Sequence, residues 1–241
     1  MKASLQLVVL LAGFILVTLS ACTPVYVPNA VQAPLLEERG DIRVGGYVGT
    51  SGADLQVAGA LTDHLGVSAA VLTGSYEDES EDAVRDENRR RFGEVGIGYF
   101  TDFGRVGRFE VYGGYGRGWA EATDEYRFLD NRTVTATGRY RRLFVQPTLG
   151  AALGPARLYG ATRLAHVRFH EFETSQTTFD EAQSAPFFEP TVGADLGLGW
   201  FNLGGQIGLS IPLENEENFD FDHQPMWISL GVQVRLNGMT R

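Results

Sequence analysis

From Asp41 onward, apolar side chains recur at every second position through one segment after another, a period that a β-strand with one face in an apolar medium satisfies and a helix does not. In Leu143 to Leu153 one set is Leu143, Val145, Pro147, Leu149, Ala151 and Leu153, opposed by Phe144, Gln146, Thr148 and Gly150. Phe188 to Leu198 sets Phe188, Pro190, Val192, Ala194, Leu196 and Leu198 against Glu189, Thr191, Gly193, Asp195 and Gly197. Asp54 to Leu61 and Met226 to Leu236 alternate as cleanly. Six further segments, near 41–50, 66–76, 92–101, 108–120, 157–169 and 201–211, follow the same rule less strictly. The clearest of these runs are close to the length of a tilted membrane strand, about nine to eleven residues.

Connection lengths point the same way. The turns at Asp63 to Gly66, Thr101 to Val106, Gly154-Pro155 and Gly199 to Asn202 are short, whereas the stretches near 77–91, 121–138, 170–186 and 212–224 are long and polar. Short and long alternate after a first hairpin at Ser51-Gly52, as expected of tight periplasmic turns and larger external loops. The chain's 30 glycines fall mostly inside these segments, where a helix would not tolerate them. The expected fold is therefore all-β: a single antiparallel up-and-down β-barrel of about ten strands, of the transmembrane outer-membrane type. Phe100, Phe109, Trp200 and Phe201 at the short-turn ends, and Phe92, Tyr140, Phe187 and Trp227 at the other, are expected to form aromatic girdles at the two headgroup levels.

The N-terminus adds a compartment. Lys2, an apolar run from Leu5 to Leu19 and the small residues Ser20-Ala21 precede Cys22, a secretory signal of the lipoprotein type. Residues 1–21 are read as the signal, Cys22 as the lipidation site, 22–40 as a lipidated, Pro-rich tether, and 41–241 as the barrel. Cys22 is the only cysteine, so an intramolecular disulfide is excluded. An even strand count returns the C-terminus to the periplasmic side, where the lipidated N-terminus is also expected. The localisation expected is the outer membrane, with the chain lipid-anchored through Cys22.

A net charge of −10 argues against nucleic acid as a partner and against an electrostatic grip on anionic lipid. The alternation places Arg43, Asp54, Glu94, Glu110, Gln146, Arg163, Glu189, Asp195, Gln206 and Arg235 in the lumen, where opposite charges pair and fill a narrow barrel. Chemistry is sparse. His166 and His170 lie on one strand about 13 Å apart, too far to share a metal ion. Asp220, Asp222 and His223 sit at a loop rim without a nucleophile arrangement, and the acidic runs Glu77 to Asp82 and Glu214 to Glu217 lack calcium-loop spacing. No catalytic residue, metal ligand or cofactor site is expected.

The lipobox, the lead Val25-Tyr26-Val27-Pro28-Asn29 and Pro34-Leu35-Leu36, the strand Phe109 to Gly116 and the strand Gln206 to Pro212 together resemble an uncharacterised group of bacterial outer-membrane β-barrel lipoproteins. The final strand, with Gly231 followed by Val234 and Leu236, resembles the terminal assembly signal of such barrels. The resemblance implies outer-membrane lipid and the barrel-insertion machinery as partners, and a structural, adhesive or small-solute-handling surface role without catalysis. An extracellular ligand would meet the long loops. Two other readings stay open: a lipid-tethered soluble barrel with a small apolar ligand in its cavity, and a hydrolase at the loop rim. In the soluble barrel Leu55, Val57, Leu149, Leu196 and Ile228 would face the cavity, and in a membrane barrel they face outward.

Overall fold

A computed structural model describes residues 24–79, 84–126, 132–175, 182–215, 219 and 221–236. The strands are β1 (Ile42–Gly49), β2 (Gly52–Ala60), β3 (Leu65–Glu79), β4 (Val84–Phe103), β5 (Gly107–Tyr126), β6 (Arg132–Leu153), β7 (Ala156–Thr174), β8 (Ser184–Gly197), β9 (Phe201–Leu209), the two-residue β10 (Ile211–Pro212) and β11 (Met226–Arg235). Each long strand pairs antiparallel with its neighbour in sequence, β9 pairs with β11, and β11 pairs with β1. Ten strands thus close into an up-and-down barrel, with β10 as a short extra rung beside β8. Closure leaves no strand edge along the wall, which a sheet surrounded by lipid requires.

The alternation read from sequence sorts the two faces as expected. Leu55 is 56% exposed and Leu149 57%, and Val57, Leu196 and Ile228 also point outward. The aliphatics form a belt around the outside, so a barrel cavity lined by them, as the soluble ligand-binding reading needs, is not what the chain builds.

Two expectations are corrected. The stretches 77–91 and 121–138 are mostly strand, because β3 to β6 run 15 to 22 residues and carry their ladders well past the apolar belt. Leaving the belt changes the side chains from aliphatic to Arg, Glu and Thr, but backbone pairing continues. The proposed girdle at the long-loop end also fails. Phe92, Tyr140, Phe187 and Trp227 are buried in the lumen, as is Phe100 at the other end, while Trp200 is 66% exposed at the short-turn rim. The cause is parity: Phe92, Tyr140 and Phe187 each stand two residues from a lumen charge, respectively Glu94, Arg142 and Glu189.

These inward rings need room, and glycines on the adjoining strands supply it. Tyr140 lies opposite Gly118, Trp227 opposite Gly208 and Tyr159 opposite Gly193. A Cβ at any of the three would come within 2.4 Å of the ring. Each ring lies flat over its neighbour's bare backbone, a cross-strand pairing that sheets use to fill the gap a glycine leaves.

Candidate functional site: the occupied lumen

The segment expected to be a tether outside the barrel is extended, but it runs through the barrel's interior. Pro24 lies at the long-loop end, where its carbonyl accepts a hydrogen bond from Asn88 Nδ2 at 2.8 Å. Val25 and Tyr26 donate their backbone N–H groups to Asp222 O, and Gln224 N–H returns a bond to Tyr26 O. Twelve residues on, Leu36 donates its N–H to Glu110 Oε1 at 2.7 Å, and its carbonyl accepts from Arg108 near the short-turn end. Leu35, at φ 49°, and Gly40, at φ 84°, bracket the bend that carries the chain out of the lumen and into β1. Burial of apolar side chains such as Val31 and Leu36 gives the segment a core of its own within the polar wall.

An extended segment in a lumen has no ladder partner, so its polar groups must be met by wall side chains. Gln56 Nε2 donates to Ala30 O at 3.0 Å, Gln146 Nε2 to Gln32 O at 2.7 Å, and Val31 N–H to Gln206 Oε1 at 3.1 Å. At mid-lumen the segment is locked into a neutral cluster of four charges. Tyr26 Oη donates to Glu189 Oε1 at 2.6 Å. Asn29 Nδ2 donates to Glu94 Oε1 at 2.8 Å, and Asn29 Oδ1 accepts from both Arg142 and Arg163, at 2.5 and 2.9 Å. Arg142 also meets Glu94 Oε2 at 2.5 Å, and Arg163 stands 3.5 Å from Glu189. Above this cluster Tyr26 is enclosed by rings, edge-on to Tyr140 at 5.7 Å and tilted against Phe187 at 4.9 Å. Arg142 stacks over Phe92, 4.3 Å from its centre.

The lumen set read from sequence is largely correct. Arg43, Asp54, Glu94, Glu110, Gln146, Arg163, Glu189, Asp195 and Gln206 are all buried inside. Arg235 is the exception in degree: its side chain is 29% exposed at the short-turn rim, where it pairs with Glu37 at 2.6 Å and Asp41 at 2.9 Å. Arg43 completes this rim network through Glu37 at 2.9 Å and Asp41 at 3.3 Å. Burial opposes ionisation of Glu37, but the hydrogen bond from Arg235 and the charges of Arg43, Arg235 and Arg108 outweigh it and hold its carboxyl below the usual value.

Sequence reasoning missed Tyr26, Asn29 and Arg142. Arg142 was legible, since it shares the parity of Gln146 and Thr148 and directly precedes the first outward leucine of its strand. Tyr26 and Asn29 carry no such signal. Of the loop-rim candidates, Asp220 lies outside the described residues, and the Asp222 and His223 backbones hold the start of the luminal segment, with the His223 ring 5.3 Å from Phe187. His166 and His170 are exposed on the outer face of β7. Cys22 and the signal, residues 1–21, also lie outside the described residues. No cluster suited to a metal ion occurs among the described residues.

No protein-family profile matches the chain, and no curated protein does. Among solved structures it is similar to the translocator domain of the autotransporter NalP from Neisseria meningitidis, at 11% identity over 82% of this chain and 87% of that one, with a TM-score of 0.46. It is also similar to in-vitro folded OmpT, an outer membrane protein of Vibrio cholerae, at 10% identity over 81% and 95% of the two chains, with a TM-score of 0.27.

Proposed function

We propose that this protein is a lipid-anchored outer-membrane barrel, sealed by its own N-terminal segment, that serves a structural or adhesive role at the cell surface without catalysis. The observation that carries the reading is the occupied lumen: residues 25–36 fill it and are held at both ends and at mid-height. That occupancy favours a surface role over small-solute handling. The outward aliphatic belt supports insertion in a membrane, and the signal pattern ending at Cys22 supports lipidation there. This reading puts the anchor on the side opposite to the periplasmic one expected from the strand count. Pro24 sits at the long-loop end, and Cys22 precedes it by two residues in the sequence. A lipid on Cys22 would therefore enter the leaflet on the long-loop side, not the periplasmic one.

The test is an epitope inserted between Thr23 and Pro24, with antibody access measured on intact cells. Access without permeabilisation, alongside fatty-acid labelling that Cys22→Ser abolishes, is the expected result. An epitope reached only after the outer membrane is opened would overturn the proposed sidedness, and absence of labelling would overturn the anchor.

A further inference from the structure

On the outer wall, where the belt ends on the long-loop side, three arginines stand in one row. Arg117 of β5 is the register partner of Arg141 of β6, and Arg141 is the partner of Arg168 of β7. All three are exposed, and the row nearer the belt, Tyr115, Leu143 and His166, already contains its first exposed leucine. Directly opposed side chains on antiparallel strands have Cβ atoms about 5 Å apart, and like charges so placed destabilise the pair. One row further out, Trp119 lies between Arg91 and Arg139. Among the described residues only Arg139 of these five arginines has a carboxylate partner, Glu171 at 2.9 Å. Arg117 is held in place instead, donating from Nε to Tyr115 Oη at 2.8 Å. Arg91, Arg117, Arg139 and Arg141 line an open groove of about 880 Å³ together with Trp119 and His170, and Arg168 flanks it as the register partner of Arg141.

Among the described residues four of these guanidinium groups, three of them in one row, have no carboxylate partner, and an anion from outside would relieve their mutual repulsion. The row lies just past the hydrocarbon-facing leucines, at the level where lipid headgroups begin. We propose that this groove binds a lipid whose headgroup carries two or more phosphates, in the leaflet on the long-loop side. Each guanidinium fork matches the paired oxygens of a phosphate, and Trp119 and Tyr115 supply the amphipathic rings that sit at headgroup level. The inference rests on the membrane reading above. It departs from the expectation drawn from net charge, because a local row of arginines can attract an anion whatever the sign of the whole chain.

The test uses the full-length protein in phosphatidylcholine nanodiscs, with and without a diphosphorylated lipid. Lipid retention is read by native mass spectrometry and stability by thermal midpoint. Arg141→Gln should raise the midpoint in phosphatidylcholine alone, by relieving repulsion, and lower it once the phosphorylated lipid is present. Retention should fall about tenfold or more in Arg117→Gln/Arg141→Gln/Arg168→Gln, the scale expected for charge-assisted bonds, and hold in Arg39→Gln/Arg105→Gln at the other rim. Equal retention in all three proteins, no reversal of sign, or equal competition by inorganic phosphate or polyglutamate would overturn the proposal. A chain that fails to enter nanodiscs at all would instead refute the membrane reading.

Discussion

Arg142 is the side chain whose loss the lumen should feel most. It meets Glu94, Asn29 and Tyr26 at once and is fully buried, so its removal strands Glu94 in a site with little water. Breaking one side of a buried pair costs about 3–5 kcal/mol, and replacing both partners costs far less. Arg142→Met should therefore lose stability on that scale in urea unfolding followed by tryptophan fluorescence, and adding Glu94→Gln should recover part of it. A double variant no better than the single would refute the pairing argument. At the rim, Glu37 has a lowered pKa, so it contributes stability that is present above the ordinary carboxylate value and is lost as pH falls through its folded value. Glu37→Gln should flatten that acid limb slightly, because the side chain is 42% exposed and water screens it. A limb unchanged in the variant would place the acid sensitivity elsewhere. At this scale the sequence was readable by parity alone, which sorted Glu94, Glu189 and Arg163 to the inside. Carried through consistently, the same parity also sends Phe92, Tyr140 and Phe187 there, so the misplaced girdle came from weighing residue type above position.

Among the elements, the strands and the luminal segment differ in how they are specified. A strand between lipid and a polar lumen has two unlike faces, and the resulting alternation is written along it. Beyond the belt the outer face meets water and turns polar, so the apolar alternation fades from the sequence, and the outer parts of β4 to β6 read as loops although their ladders and their buried inner faces persist. Residues 24–36 make no ladder in the wall, and the wall side chains that hydrogen-bond them stand 26 to 175 positions away in sequence, from Gln56 to Gln206. No local pattern encodes such contacts, and three prolines and mixed apolar residues look the same in a tether and in a plug. Deleting residues 25–36 should leave a barrel that still runs faster unboiled than boiled on a gel, since the ten-strand wall is intact and the exposed charges gain water. Its conductance in a planar bilayer should rise well above that of the full chain, which should be closed. A folded deletion variant with no conductance would mean that the wall side chains alone seal the lumen.

For the molecule as a whole, the proposed lipid anchor and the apolar belt would be two separate routes to the membrane, and they make opposite forecasts for one substitution. A soluble barrel held only by lipid depends wholly on Cys22, because its exterior would have no affinity for hydrocarbon. Here the exterior carries exposed leucines, valines or isoleucines on β1 to β4, β6 to β9 and β11, with Val111 half-exposed on β5, and the polar groups of the wall are satisfied by ladder bonds or turned inward. Insertion of such a belt is far more favourable than the marginal, reversible binding that a single acyl chain gives. Cys22→Ser should therefore leave the protein in the outer-membrane fraction, with its faster unboiled band intact. The anchor's effect should be confined to the N-terminal end of the luminal segment, where losing the lipid frees Pro24 and Val25 from a fixed point on the membrane. Hydrogen exchange should then quicken at Val25 and Tyr26 and hold steady at Val31 and Leu36, deeper in the lumen and held by Gln206 and Glu110. Release of the Ser variant into solution would reverse the argument, since a belt that cannot hold the barrel in a membrane is not a membrane belt.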